Sequence, residues 1–430
     1  MKNEFKDELL ETIAKLESML NKFPEPVRKK LKKDIEDLKR LLNNRNPRLM
    51  IAGRRGSGKS SMINAFVGEE IAKVGHIKAK TGQAKWYDIQ KDDQVIEIID
   101  TRGLGEGSDP NEFDTAIDPR ESLTNEIKAR YPDVILFTCK AKEVDARISE
   151  DLDDIEFIVG KISEIHSYNI PIIAVITHCD ELTPKNIRLH NEKDSQNIAD
   201  YNEKLERVVT VENNIHKQVS SREYLSYNLI KTIGISAYMS WRENGVIRED
   251  DRWRIEELLN YIFEELPDEA KLEFARITKI KKFQKKITDK ITFGISSICA
   301  AIASTPIPVG DLAPITSLQI SMIIMIAYVG GKKPSMKTAK EFLGAIGANI
   351  GAAFLFREAA RALIKYIFPG GGNAISATIA YAATFSVGRA ATAYFIDGVS
   401  KKEAKEIYKK TRKKEQEKAV GDKVINTSVN

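Results

Sequence analysis

Cysteine is scarce in this chain and falls in no pattern. The 430 residues hold three, Cys139, Cys179 and Cys299, odd in number and far apart. That spacing excludes a disulfide framework and a paired-thiolate zinc site, and points to reduced thiols inside a cell. Histidine is as thin: His76, His166, His190 and His216 share no metal-ligand spacing. The opening MKNEFKDELL is charged and lacks the apolar stretch of a secretory leader, so export is not expected. Net charge is only +5. The acids between 150 and 156 read as a helix start favoured by the helix dipole, not as a metal site.

What the chain does hold is length for two or three domains, 42% hydrophobic and 30% charged residues, and an uneven texture. Residues 1–46 carry Leu9, Leu10, Ile13, Leu16 and Leu20, then Val27, Leu31, Ile35, Leu38 and Leu41, at helical spacing, with Pro24 and Pro26 between. Two amphipathic helices joined by a proline turn are expected, each needing a partner for its apolar stripe. From 47 to 268, strand-length apolar runs alternate with helical patterns, the mark of a mostly parallel sheet wrapped by helices. The strands read RLMIAG, AKWYDIQ, QVIEIID, DVILFTC, PIIAVIT and TIGIS, and the polar stretch 183–228 reads as an insertion. Residues 269–419 form an apolar, Ala- and Gly-rich all-helical domain with basic flanks, and 420–430 a flexible tail. The fold class is therefore α/β, with an all-α domain built from N- and C-terminal helices.

Within the first strand–helix junction lies GRRGSGKSS, residues 53–61. Gly53, Gly58, Lys59 and Ser60 fit the spacing of a phosphate loop. Gly53, Gly56, Ser57 and Gly58 let backbone N–H groups turn inward at a helix N-terminus, where an anion is stabilised. Lys59 would reach the outer phosphates, the Ser60 hydroxyl would ligate Mg2+, and Ser61 would cradle a phosphate beside it. Asp100 ends the third strand, where an acid holds the metal through water, and Gly103 can sense a terminal phosphate. After the fifth strand, VITHCDEL places Thr177, His178 and Asp180, whose carboxylate can accept from the ring N–H and exocyclic amine of guanine. After the sixth, Ser236 and Ala237 can offer N–H groups to the guanine carbonyl. Adenine inverts that donor–acceptor pattern, so GTP and GDP are the expected ligands.

In this order, GRRGSGKSSMINAFVG, KTGQAKWYDI, IIDTRGLGE, VITHCDEL and ISAYMSWRENGVIREDDRWRIEELLNYIFEELP resemble the translation-factor-related P-loop GTPases of the Era and TrmE type. The resemblance covers about half the chain and implies GTP hydrolysis to GDP, with Thr81 as the switch threonine joining Mg2+ beside Ser60 and Asp100. Three positions depart from the family pattern. His178 stands where a lysine stem usually covers the base, Leu104 where small GTPases carry a water-orienting glutamine, and Gly56 where potassium-activated relatives carry asparagine. The second half resembles an uncharacterised apolar domain appended to some bacterial Era-like GTPases. The order of parts is similar to that of immunity-related and dynamin-like GTPases.

Basic runs at 276–290 and 401–418 bracket the apolar helices. They suit an anionic lipid surface, whereas the missing glycine-rich RNA-binding turn argues against nucleic acid. Segments 312–329, 342–356 and 374–396 are apolar, but Pro314 and Gln319 interrupt the first, the second is too short to span unless tilted, and Arg389 interrupts the third, which favours a helical core with peripheral membrane contact over spanning helices. The expectation is a cytoplasmic, nucleotide-dependent switch at the inner membrane face that controls the helical domain. A membrane-tethered scaffold assembling on GTP is the alternative, and an RNA-associated GTPase the third. With Leu104 unable to polarise water, turnover should be slow unless the chain assembles or is stimulated. Arg55 would then act on nucleotide across a G-domain homodimer, in a catalytic set with Lys59, Thr81 and Gly103.

Overall fold

The computed structural model describes residues 4–18, 20–23, 25–71, 86–100, 119–143, 148–191, 198–304, 315–333, 335–347 and 372–427. The chain divides into two compact units, Arg45–Thr278, and Met1–Asn44 together with Lys279–Asn430.

The first unit is built on six strands: β1 (Arg48–Ala52), β2 (Trp86–Lys91), β3 (Gln94–Asp100), β4 (Val134–Lys140), β5 (Ile172–Thr177) and β6 (Leu229–Gly234). They lie in the order β2-β3-β1-β4-β5-β6. β1 runs parallel to both β3 and β4, β4 to β5 and β5 to β6, and only β2 is antiparallel, joined to β3 as a hairpin. All six expected strands are present. The inner strands β4 and β5 are near-continuous apolar runs, VILFTCK and IIAVIT, because helices cover both faces of a parallel sheet. On one face Met50, Ile99, Ile135, Phe137, Ala174 and Ile176 form a single cluster with helices α4 (Pro119–Ala129), α5 (Ile148–His166) and α6 (Ile198–Ser220). Helices α3 (Lys59–Val67), α8 (Ile255–Glu265) and α9 (Asp268–Thr278) pack on one another, and they meet the sheet at β3 and β6. The single turn α7 (Glu223–Ser226) leads into β6.

Two features differ from the sequence expectation. A short antiparallel hairpin, β7 (Met239–Trp241) with β8 (Ile247–Asp250), follows the sixth strand. Its strands are too short and polar to show as apolar runs, although the Asn244-Gly245 pair, with Gly245 at φ +76°, is a turn signal. The unit also ends at 278 and not at 268. Arg276, part of the basic run 276–290, is 2% exposed, and its guanidinium pairs with Glu273 at 2.7 Å and with Asp93 of the β2–β3 turn at 2.9 Å. Those bonds fasten α9 to the sheet.

Among the described residues the second unit is all helical, as expected. It contains α1 (Glu4–Ser18), α2 (Glu25–Leu42), α10 (Lys281–Ser304), α11 (Ile315–Val329), α12 (Met336–Ala345), α13 (Gly372–Thr392), extended by a π turn over Ala393–Asp397, and α14 (Lys401–Thr427). The apolar stripe of α2, with Leu31, Ile35, Leu38 and Leu41 all buried, lies against α10, so the chain's two ends share one core. α10 also packs on α11 and α13. At Gly388 of α13 an added Cβ would stand 2.4 Å from the Thr292 methyl of α10, so only glycine permits that approach.

Of the three apolar segments, the described part of 312–329 is the 15-residue α11, buried from Leu318 onward, with Pro314 outside the described residues, and 342–356 runs out of the described residues after α12. Segment 374–396 is α13 with its π turn, and Arg389 is accommodated there by an ion pair to Asp289 of α10 at 2.5 Å. Among the described residues the helix long and apolar enough to cross a membrane is instead α10, most of which is buried in the unit. The expected flexible tail is a continuation of α14, helical to Thr427.

Candidate nucleotide-binding site

Parallel strands place the turns after β1, β3, β5 and β6 at one edge of the sheet, the edge where α/β folds bind ligands. The turn after β1 holds Gly53 at φ +148°, Gly56 at +80° and Gly58 at +80°, and Lys59 opens α3 directly after it. Each glycine has its own reason. A Cβ at Gly53 would sit 2.3 Å from both the carbonyl and hydroxyl oxygens of Thr138 on β4. A Cβ at Gly58 would sit 3.2 Å from His178 Nε2 and 3.3 Å from Thr177 Cβ, at the end of β5. The loop is thus seated against the two neighbouring strands.

Side chains fix that seat. Ser57 Oγ and Thr138 Oγ1 share a buried hydrogen bond of 2.8 Å, and Thr138 Oγ1 donates to Ala52 O at 3.0 Å. Thr177 Oγ1 donates to Ser57 O at 2.9 Å. Lys59 is 5% exposed, and its ammonium donates to the carbonyls of Gly53 and of Arg54, the latter at 3.0 Å. The charge is therefore held over the loop where a phosphate would meet it. Ser60, in the first turn of α3, is 9% exposed, and its hydroxyl has no hydrogen-bond partner among the described residues. An oxygen in that position fits a metal ligand. The backbone of Asp100 ends β3 in register with Ile51 of β1. Thr81 and Gly103 lie outside the described residues, as does Leu104.

The turn after β5 begins at His178, in the left-handed region at φ +57°, and runs through a single helical turn over Cys179–Glu181. His178 Nδ1 lies 3.2 Å from Glu181 Oε1, and Nε2 is buried without a partner beside Gly58. Lys142 donates to Glu181 at 3.0 Å and holds that carboxyl below its ordinary range. The Asp180 carboxylate forms no hydrogen bond or ion pair among the described residues, which leaves both oxygens available to a base. Ser236 and Ala237 follow β6, where Ser236 exchanges backbone hydrogen bonds with Trp253 at 3.0 and 3.2 Å; contrary to the sequence expectation its N–H is thus already taken, and Ala237 remains as the candidate donor to a base. Cys179 N donates to Ile235 O at 3.2 Å, stitching the two turns together. All three thiols are free and buried, and burial pushes Cys139 up to about 12, which disfavours the reactive thiolate.

Comparison with known proteins agrees with this geometry. The family of 50S ribosome-binding GTPases matches residues 48–178. Residues 48–178 are a P-loop GTPase domain similar to those of MnmE and Der. The tRNA modification GTPase MnmE of Methylococcus capsulatus is 34% identical over 97 residues, 23% of this chain and 20% of that protein. GTPase Der of Nostoc punctiforme is 33% identical over 160 residues, 37% of this chain and 30% of that protein. MnmE of Chlorobium chlorochromatii is 27% identical over 202 residues, 43% of this chain and 40% of that protein. The chain thus spans well under half the length of these curated relatives. A solved structure of Era with MgGDPNP and 16S ribosomal RNA is 18% identical, covering 60% of this chain and 68% of that one, with a TM-score of 0.31.

Arg54 is held by the start of α5, with Nε donating to Asp151 at 2.8 Å and Nη2 to Glu150 at 3.1 Å. Arg55 is exposed. The acids expected to mark a helix start therefore also anchor the loop. Motif reading missed Thr138, Lys204 and Glu212. A threonine inside the apolar run VILFTC was a usable signal, whereas nothing separates Lys204 and Glu212 from other charges of a polar helix.

Proposed function

We propose that the chain is a guanine-nucleotide switch. Residues 45–278 bind GTP with Mg2+ and hydrolyse it to GDP, and the nucleotide state controls the helical unit. The observation that carries the reading is the gathering of Gly53–Ser60, Thr177–Asp180 and Ser236–Ala237 at one sheet edge. There Asp180 offers an uncommitted carboxylate opposite the phosphate loop. Backbone N–H groups and Lys59 bind the phosphates. Ser60, Thr81 and Asp100 would hold Mg2+, whose charge offsets that of the phosphates. His178 covers the base in place of the usual lysine.

The helical unit is read as a peripheral membrane element of a cytoplasmic protein, supported by the exposed lysines along α14 and at the start of α10. Exposed Arg55 is read as the group that reaches nucleotide when two GTPase domains face each other. The nucleotide assignment is tested by calorimetry with GTP, ATP and XTP. Wild-type protein should bind GTP at least about a hundredfold more tightly than ATP. Asp180→Asn should lose GTP and gain XTP, because an amide presents a donor where xanthine carries a carbonyl. Equal GTP and ATP affinities would overturn the assignment.

A further inference from the structure

Helix α6 lies in the polar stretch that reads as an insertion, yet two of its charges turn inward. Lys204 is fully buried. Its ammonium donates to three backbone carbonyls of the segment after β5: Asp180 at 2.7 Å, Ile187 at 2.7 Å and Pro184 at 3.3 Å. A little over two turns on, Glu212 Oε1 accepts from the Gly234 N–H at 2.6 Å, two residues before Ser236, and from Arg254 Nη1 at 2.6 Å. The end of β6 is also pressed against α6. A Cβ at Gly234 would lie 2.8 Å from Val208 Cγ1 and 2.9 Å from Cys179 Sγ.

Burial lowers the Lys204 pKa, the signature of a charge removed from water. A leucine would pack this helix at less electrostatic cost. What lysine adds is a three-point tie on the loop that carries Asp180. The two turns that read the base therefore hang from one helix, each by a charged hydrogen bond from a side chain that does not itself reach the base.

We infer that Lys204 and Glu212 are positioning residues for base recognition, setting the Asp180 carboxylate and the Ala237 amide at the edge of guanine. The inference rests on the guanine-nucleotide reading above. Asp180 must meet two N–H groups at once, so a small drift of its loop costs the second contact first. Inosine nucleotides lack the exocyclic amine that makes that contact. The ratio of GDP to IDP affinity therefore reports the placement of the carboxylate, whereas general loosening weakens both nucleotides alike.

The experiment is calorimetric titration of the full-length protein with GDP, IDP and 6-thio-GDP, whose sulfur is a weak acceptor in place of the guanine carbonyl oxygen, in wild type, Lys204→Met, Lys204→Arg, Glu212→Leu and Glu212→Gln. Wild type should prefer GDP to both. Lys204→Met should lower the GDP-to-IDP ratio, and Glu212→Leu the GDP-to-6-thio-GDP ratio, each by roughly tenfold, the worth of one good hydrogen bond. Lys204→Arg should recover part of the first, and Glu212→Gln, which keeps an acceptor for the Gly234 N–H, nearly all of the second. Unchanged ratios in folded Lys204→Met and Glu212→Leu overturn the inference. If one of these two does not fold, the other decides. If neither folds, the residues are structural supports and the inference also fails. Absence of GDP preference in wild type would instead overturn the guanine reading.

Discussion

Gly53 shows how tightly one residue can be specified by its neighbours. Its φ of +148° is a region other residues avoid, and the Thr138 carbonyl and hydroxyl oxygens occupy the space a side chain would need. Backbone oxygen on a central strand cannot retreat as a flexible side-chain end can. Gly53→Ala is expected to destabilise the GTPase domain by about 2–5 kcal/mol, combining backbone strain and overpacking. Gly56→Ala is the contrast: its nearest neighbour would be Lys140 Nζ at 3.5 Å, leaving mainly the penalty of φ +80°, about 1 kcal/mol. Urea melts of the two variants should separate in that order, and equal midpoints would contradict the close approach to β4. His178 belongs at this scale too. Its left-handed backbone and its contact with Glu181 place the ring beside Gly58, which the HCD spelling of the motif does not disclose.

At the scale of elements, helix α2 is decided by its partner. VRKKLKKDIEDLKRLL carries charges on most positions and only a narrow apolar stripe, too little to hold a helix alone. Gly294 of α10 stands where an added Cβ would lie 3.6 Å from Leu38 Cβ, so the two helices meet closely at that point. Leu38→Ala should cost about 2–5 kcal/mol, since the surrounding side chains can only partly fill the space. Val27→Ala, at a position 47% exposed, should change stability by no more than about 0.5 kcal/mol. Chemical denaturation followed by far-ultraviolet dichroism measures both, and similar losses would show that α2 does not depend on this stripe.

For the whole molecule, the charge along α14 and the start of α10 makes a clear expectation. Full-length protein should co-sediment with vesicles containing anionic phospholipid at low salt, and the bound fraction should fall several-fold between about 50 and 300 mM salt as surface attraction is screened. Indifference to anionic vesicles at low salt would remove the peripheral-membrane reading. Hydrolysis belongs at this scale as well. Exposed Arg55 is proposed as the loop arginine that would serve a facing copy. The rate per molecule should rise with protein concentration, and Arg55→Ala should abolish the rise while leaving GTP affinity nearly intact. A flat rate over a hundredfold range of concentration would refute it.

The six strands and the phosphate loop were legible from sequence, because each is a local pattern. Apolar runs mark strands buried on both faces, and glycine spacing marks a backbone that must turn its N–H groups inward. The apolar stripe of α2 likewise announced that a partner was needed. Local pattern could not say which distant side chains support the site. Thr138 on β4, Lys204 and Glu212 on α6 and Asp151 on α5 reach it only through the sheet order and helix packing, across separations of tens of residues. Nor could it place the end of the GTPase domain. The run RITKIKK reads as uniformly basic, but folding buries Arg276 against Glu273 and Asp93 and leaves the exposed lysines after it to the helical unit. Chemical identity along a chain is a property of residues, whereas burial and pairing are properties of the neighbours that only the tertiary fold supplies.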